Sequence, residues 1–164
     1  MNTPTWSSPI DLPDSVRLNM IPLLNQHLAD AIDLGLQAKQ AHWNVKGPQF
    51  VSLHGLFDEV AEILEELTDE LAERVVELGG IAEGTLQAVA VASRLAPYDR
   101  TILAGSEHVK ALVSALVAFA RSNRRAIDVA SAAGDATSAD LFTEVSRAAD
   151  KLLWTISAHA ATPA

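Results

Sequence analysis

No cysteine occurs in the chain, which excludes disulfides, thiolate metal sites and cysteine nucleophiles. Aromatic residues make up only 5% of the 164 positions, and seven prolines and eight glycines are too few for a collagen-like or low-complexity chain. Positive charge is also scarce: 12 Lys and Arg stand against 21 Asp and Glu, a net charge of −9. Such a field attracts cations and repels nucleic acid unless the basic residues are gathered in one place. They are not gathered at the ends, since no Lys or Arg precedes Arg17 and none follows Lys151. A basic arm for DNA is therefore missing, and DNA binding near neutral pH is not expected. The first residues also lack the basic start and apolar stretch of a signal peptide, and no apolar run approaches a membrane span. The expectation is a soluble cytoplasmic protein with no membrane partner.

What the chain does have is apolar residues, 49% of the total, enough for one domain with a sizeable core. Their spacing is helical. Residues 1–13 hold Pro4, Pro9 and Pro13 and read as an extended arm. A first helix, capped by Asp14 or Ser15, carries Leu18, Ile21, Leu24, Leu28, Ile32 and Leu36 at helical intervals and ends near Val45, before Gly47-Pro48. Pro22 falls within it, early enough to be tolerated as a first-turn residue or a mild kink. A second helix begins by Val51 and runs to Gly79-Gly80. A short piece over about Leu86 to Ser93 lies in the connection to a third helix, Ser106 to Ala133, which Gly134 ends. The fourth spans Ala139 to about His159, with Asp135, Thr137 and Ser138 as cap candidates; 161–164 form a short tail. No strand pattern, phosphate loop or solenoid repeat competes. The fold class is all-α: a four-helix bundle over 14–160 with a short helix in the long connection between helices two and three.

The chemistry concentrates in residues 41–80. His54 and Asp58 are four apart, as are Asp69 and Glu73, so each pair shares a helix face. His42 is on the last turn of the first helix, and the Gly47-Pro48 turn can fold it back beside His54. Imidazole with carboxylate and no thiolate suits Fe(II), Mn(II) or Zn(II). Asp58 and Asp69 point the same way but lie about 16 Å apart along the axis. Either the two groups are unrelated half-sites, or a second copy of the helix runs antiparallel and completes a shared site about a two-fold axis. No Glu-x-x-His occurs, so an ordinary di-iron centre within one subunit is unsupported.

The segments KQAHWNVKGPQFVSLHGLFDEV, LAERVVELGG and GDATSADLFTEVSRAADKLLW closely resemble the Dps family, the mini-ferritins named as DNA-binding proteins from starved cells. The resemblance implies a ferritin-like bundle, a homo-oligomeric dodecameric shell, and ferroxidase sites between two-fold-related subunits. It implies oxidation of Fe(II), preferably by hydrogen peroxide, and storage of ferric mineral inside, with zinc and manganese as competitors for the iron. Position by position, His42, His54 and Asp58 match the ligands of one subunit, and Asp69 and Glu73 those of its partner. Trp43 then stands near the iron, where it could scavenge oxidising equivalents, while core packing is the expected role of Trp154. The alternatives are a nucleoid-associated DNA-protecting protein with secondary iron chemistry, and a divergent metal-dependent enzyme on the same cage.

Two further acidic groups stand out. Asp135, Asp140 and Glu144 surround the start of the fourth helix, where capping and dipole compensation would account for Asp135 and Asp140; the resemblance assigns the series to an iron-entry pore. Glu62, Glu65 and Glu66 lie within about 80° of Asp58 around the second helix and could nucleate mineral on the cavity side. Arg121, Arg124 and Arg125 form the notable basic cluster, read as a salt-bridged surface.

Overall fold

The computed structural model describes residues 6–160. Helix α1 covers Asp14–Asn44, α2 Phe50–Glu77, α3 Leu86–Ala92, α4 Gly105–Ala133 and α5 Ala136–Ser157, followed by a 3-10 turn over Ala158–Ala160. The first five residues of the expected arm and the 161–164 tail lie outside the described residues. The rest of the arm crosses the end of α2, where the Trp6 N–H donates to the Gly79 carbonyl at 2.7 Å and Ser8 Oγ donates to the Glu77 carbonyl at 2.6 Å.

Helix α1 packs along α2 and α4 along α5, two hairpins closed around one apolar core. Met20, Ile21, Leu24, Leu28, Ala31, Leu34, Ala38 and Ala41 give α1 its buried stripe, and Leu53, Phe57, Val60, Leu64, Leu71 and Val75 do so for α2. Two members of the expected α1 stripe fall outside it. Leu18 is 52% and Leu36 49% exposed; five turns apart, both sit about 80° round the helix from Leu28. Pro22 lies in the third turn of α1, not the first. It is exposed, as is Leu18, so the Leu18 carbonyl that lacks an N–H partner meets water.

The helix ends also differ from expectation in instructive ways. Asp14 is the first helical residue of α1, not its cap, and pairs with Arg17. Helix α5 starts at Ala136, three residues early, because Asp135 is itself the cap and accepts the Ser138 N–H at 3.0 Å. Gly134 ends α4 with φ 81°, a left-handed conformation that favours glycine. Between α2 and α4 the crossover carries α3 across α1 and brings the start of α4 to the α1–α2 turn, where the Lys46 N–H donates to the Leu103 carbonyl at 3.0 Å. The approach is close: a Cβ on Gly105 would stand 2.5 Å from Leu53 Cδ1. Among the described residues, no helix is long and apolar enough to cross a membrane.

Candidate metal centre

The tight turn between α1 and α2 does fold His42 back onto His54. Their rings stack with centroids 3.7 Å apart and planes at 20°, and Phe50 stacks on the other side of His54 at 5.0 Å. The stack is locked reciprocally. His42 Nδ1 is 2.7 Å from the His54 carbonyl, and His54 Nδ1 is 2.8 Å from the His42 carbonyl. A carbonyl only accepts, so each Nδ1 carries a proton and Nε2 is the nitrogen left to bind a metal in the neutral ring. A fixed tautomer and ring orientation are what a divalent metal requires of histidine.

Asp58 lies one turn beyond His54, with a carboxylate oxygen 3.9 Å from His42 Nδ1. The same oxygen is held by the Lys39 ammonium. That hydrogen bond is the main reason the Asp58 carboxyl is held below the usual carboxylate range. Lys39 also stands 6.0 Å from the centre of the Trp43 ring. The structure thus brings His42, His54 and Asp58 together, and leaves Asp69 and Glu73 exposed about three turns further along α2. Among the described residues, no three His, Asp or Glu side chains converge closely enough in one chain to hold a metal ion. The imidazoles and Asp58 are near neighbours but do not by themselves enclose a metal ion.

The remaining sequence candidates separate clearly. Asp140 and Glu144 are exposed on one face of α5, and Asp140 lines a groove of about 410 Å³ with Ser131 and Thr143. Asp135 does not join them: it is 1% exposed and accepts from Arg74 Nη2 at 2.9 Å and Ser138 Oγ at 2.6 Å. For Asp135 the capping alternative is the one realised, because its position ahead of α5 turns the carboxylate inward onto α2. Glu62, Glu65 and Glu66 are all exposed. Trp43 is 64% exposed beside the imidazoles. Trp154 is 71% exposed, which overturns its expected place in the core; it lies on the outer side of α5, away from the stripe of Phe142, Val145, Ala149 and Leu152. Of the basic cluster, Arg124 pairs with Asp150 at 2.7 Å.

Sequence reasoning missed three polar features. Glu70 has its carboxyl pushed up by partial burial and by the like charges of Glu144, Glu66, Asp69 and Glu73, so Glu144 of α5 faces the acidic side of α2; its position beside Asp69 was the available signal. Buried Asp30 takes the backbone N–H, Nε and Nη2 of Arg94, pinning the crossover to α1. Tyr98 reaches His108 across the base of α4. Asp30 and Arg94 are 64 residues apart and Tyr98 and His108 ten, neither at a spacing that a helix or strand pattern reveals.

Comparison with known proteins follows the same lines. Residues 21–163 match the family model described as a ferritin-like domain. The chain is 46% identical over 149 residues to a DNA protection during starvation protein of Agrobacterium fabrum, covering 91% of this chain and 92% of that one. Among solved structures it superposes on DpsC from Streptomyces coelicolor with a TM-score of 0.93 at 28% identity, covering 98% and 94% of the two chains. For Mycobacterium smegmatis Dps the TM-score is 0.86, also at 28% identity, with 97% and 94% covered.

Proposed function

The chain belongs to the Dps family of ferritin-like proteins, and on that footing we propose that it oxidises Fe(II), preferably with hydrogen peroxide, and stores the ferric product within a dodecameric shell. The observation that carries this reading is the reciprocal imidazole–carbonyl lock at His42 and His54, which presents two metal-competent Nε2 atoms on an incomplete site. Asp69 and Glu73 of a two-fold-related copy would complete it, as an antiparallel pairing of α2 allows. The exposed apolar line Leu18, Leu36 and Trp43 on α1 gives such a copy something to cover.

The donor set fits iron as substrate. Neutral imidazoles bind Fe(II), and anionic oxygen favours Fe(III) once the electron has left. Hydrogen peroxide takes two electrons and two protons to give two waters, and each Fe(II) supplies one electron, so two irons held together avoid releasing hydroxyl radical. A mixed site of this kind also competes for Zn(II) and Mn(II). The protein's part is to fix the imidazole tautomers, to keep Asp58 ionised, and to admit iron. Asp140 and Glu144, exposed on one face of α5, would draw cations inward where copies meet, and Glu62, Glu65 and Glu66 would offer oxygen to the growing mineral.

The test is anaerobic Fe(II) loading of the assembled protein, followed by peroxide, with Fe(III) absorbance and retained iron followed on a sizing column. Wild type should oxidise quickly and keep the iron soluble, and His42→Ala/His54→Ala should lose or slow both. Equal rates in the two proteins, with iron precipitating outside, would overturn the assignment. The relatives' name refers to DNA protection; a net charge of −9 makes electrostatic attachment of this chain to DNA unfavourable. A salt-sensitive gel shift of duplex DNA near neutral pH would reverse that conclusion.

A further inference from the structure

A groove of about 720 Å³ runs between the N-terminal arm and the end of α2, lined by Trp6, Ile10, Ala72, Glu73, Val76 and Glu77 among others. The arm is held in place as one of its walls. Besides the hydrogen bonds of Trp6 and Ser8 to α2, Arg17 Nη1 donates to the Leu78 carbonyl at 3.0 Å. Glycine alone fits beneath the arm, since a Cβ on Gly79 would run into the Trp6 carbonyl. Yet the groove stands open, with Trp6 69% and Val76 57% exposed. Contiguous apolar surface of this kind marks a place that something covers. Its charged lining residues are Glu73 and Glu77, with no Lys or Arg.

The occupant follows from the face of α2 on which the groove opens. Val51, Asp58, Asp69 and Val76 lie within about 20° of one another around the helix. The candidate ligands are thus bracketed at both ends by an exposed valine, Val51 being 82% exposed. An antiparallel copy that sets Asp58 against Asp69 and His54 against Glu73 sets Val51 against Val76 in the same register. The turn leading into Val51 then enters the groove. It carries exposed Phe50 and Lys46 and has no acidic residue between Val45 and Phe57. Apolar surface meets apolar surface, and a lysine meets two carboxylates.

We propose that this groove is the seat of the α1–α2 turn of a second copy, so that the N-terminal arm of one subunit walls the metal centre the two share. The inference rests on the two-fold completion of the centre in the reading above. Trp6, Ile10 and Val76 of one copy close over Phe50 and Val51 of the other, on the side where Glu73 stands. Water is kept from that side, and the carboxylate meets the incoming cation across a less screened gap. The arm supplies no ligand; it holds the turn and excludes water.

The absence of cysteine makes cross-linking a clean test. Trp6, seated at the end of α2, is about 40 Å from Val51 in one chain, and Val76 is nearly as far. A short bis-maleimide therefore joins either pair only between copies. Assembled, full-length Trp6→Cys/Val51→Cys should be captured as covalent dimers, well above the level of either single variant. Val51→Cys/Val76→Cys should behave alike, and Ser7→Cys replaces Trp6→Cys if that variant does not assemble. Closure about a two-fold gives dimers alone, so a ladder of larger species would overturn the proposal. Trp6→Ser, which removes no proposed ligand, should bind Co(II) several-fold more weakly than wild type in calorimetric titration. Capture through Val76 but not through the arm would overturn the proposal and leave the pairing standing. Capture of neither would overturn both. Co(II) binding indifferent to Trp6→Ser would strike the arm from the metal centre. Failure of wild type to oxidise Fe(II) would sink the iron reading instead, and the cross-links would still decide the seat.

Discussion

Helix α2 anchors two cation–carboxylate pairs of similar composition and opposite character. Near its start, Asp58 meets Lys39 with both side chains about a third exposed, at 39% and 34%. Near its end, Arg74 meets Asp135 with both nearly sealed, at 7% and 1%. The sealed pair is fully satisfied: Arg74 also donates from Nε to Ser138 Oγ at 3.0 Å and from Nη1 to Glu77 at 2.9 Å, using the planar fork that suits arginine to such places. Opening it would strand a charge away from water, whereas opening the Lys39 pair costs little because solvent replaces either partner. Exposure, more than residue type, decides which carboxylate a cation from solution can reach.

The largest expected effect breaks the sealed end. Asp135→Ala leaves Arg74 without its buried partner and α5 without its cap, which should cost about 3–5 kcal/mol. Guanidinium unfolding should show a much lower midpoint, while Fe(II) oxidation per folded subunit stays near wild type. A small stability change with a large loss of iron uptake would move Asp135 from scaffold to iron path. His42→Ala should do the reverse. Losing even the outer partner of a metal-bound histidine typically costs about 10–100-fold in affinity or activity, so if His42 is a ligand as proposed, its loss should cost at least that in oxidation rate. Its stability should change less than that of Asp135→Ala, since no buried charge is left without its partner.

The histidines sharpen the contrast. His27 has both ring nitrogens engaged, Nδ1 with the Leu23 carbonyl at 2.8 Å and Nε2 with Ser122 Oγ at 2.9 Å. It is 1% exposed, and burial pulls its pKa down. Because the unfolded chain takes up this proton first, stability is full above the ordinary imidazole range. It falls as pH drops below about 6.5, and continues to fall until the folded ring protonates. His108 is lowered in the same direction. Each can contribute a slope of up to about 1.4 kcal/mol per pH unit in that window. Unfolding midpoints collected from neutral pH downward should show this, with a shallower slope in His27→Gln. An unchanged slope would mean that His27 does not titrate differently on unfolding.

Much of this was legible along the chain, and the reasons are local. Gly47-Pro48, Gly79-Gly80 and Gly134 mark the ends of helices because proline and left-handed glycine act on their own neighbours. His54 and Asp58 declare a shared face through a spacing of four. Asp135 and Asp140 look alike by the same local logic, yet one is buried and the other exposed. The deciding partner of Asp135, Arg74, is 61 residues away. Asp30 with Arg94 is likewise separated by 64 residues. Trp154 shows the complementary failure: a large apolar residue near a core stripe lies outside it by a fraction of a turn, and periodicity alone does not fix the rotation of α5 against its neighbours.

The smallest effect concerns the open pair. Lys39 holds a carboxylate oxygen of Asp58, so on the proposed reading a divalent ion that takes that oxygen has to displace an ammonium. Lys39→Met keeps most of the stem and removes the competing charge. A half-exposed ion pair is worth about 0.2–1 kcal/mol, so Co(II), chosen as a redox-inert probe, should bind up to about five-fold more tightly. Calorimetric titration of the assembled protein measures this directly. Repeating it at higher salt isolates the electrostatic part, because salt weakens the lysine's competition in wild type and has no such competitor to weaken in the variant. The gap between the two proteins should therefore narrow as salt rises. Looser binding in Lys39→Met would reverse the assignment: the lysine would then be orienting Asp58 for the metal, and the pair at the start of α2 would be as structural as the one at its end.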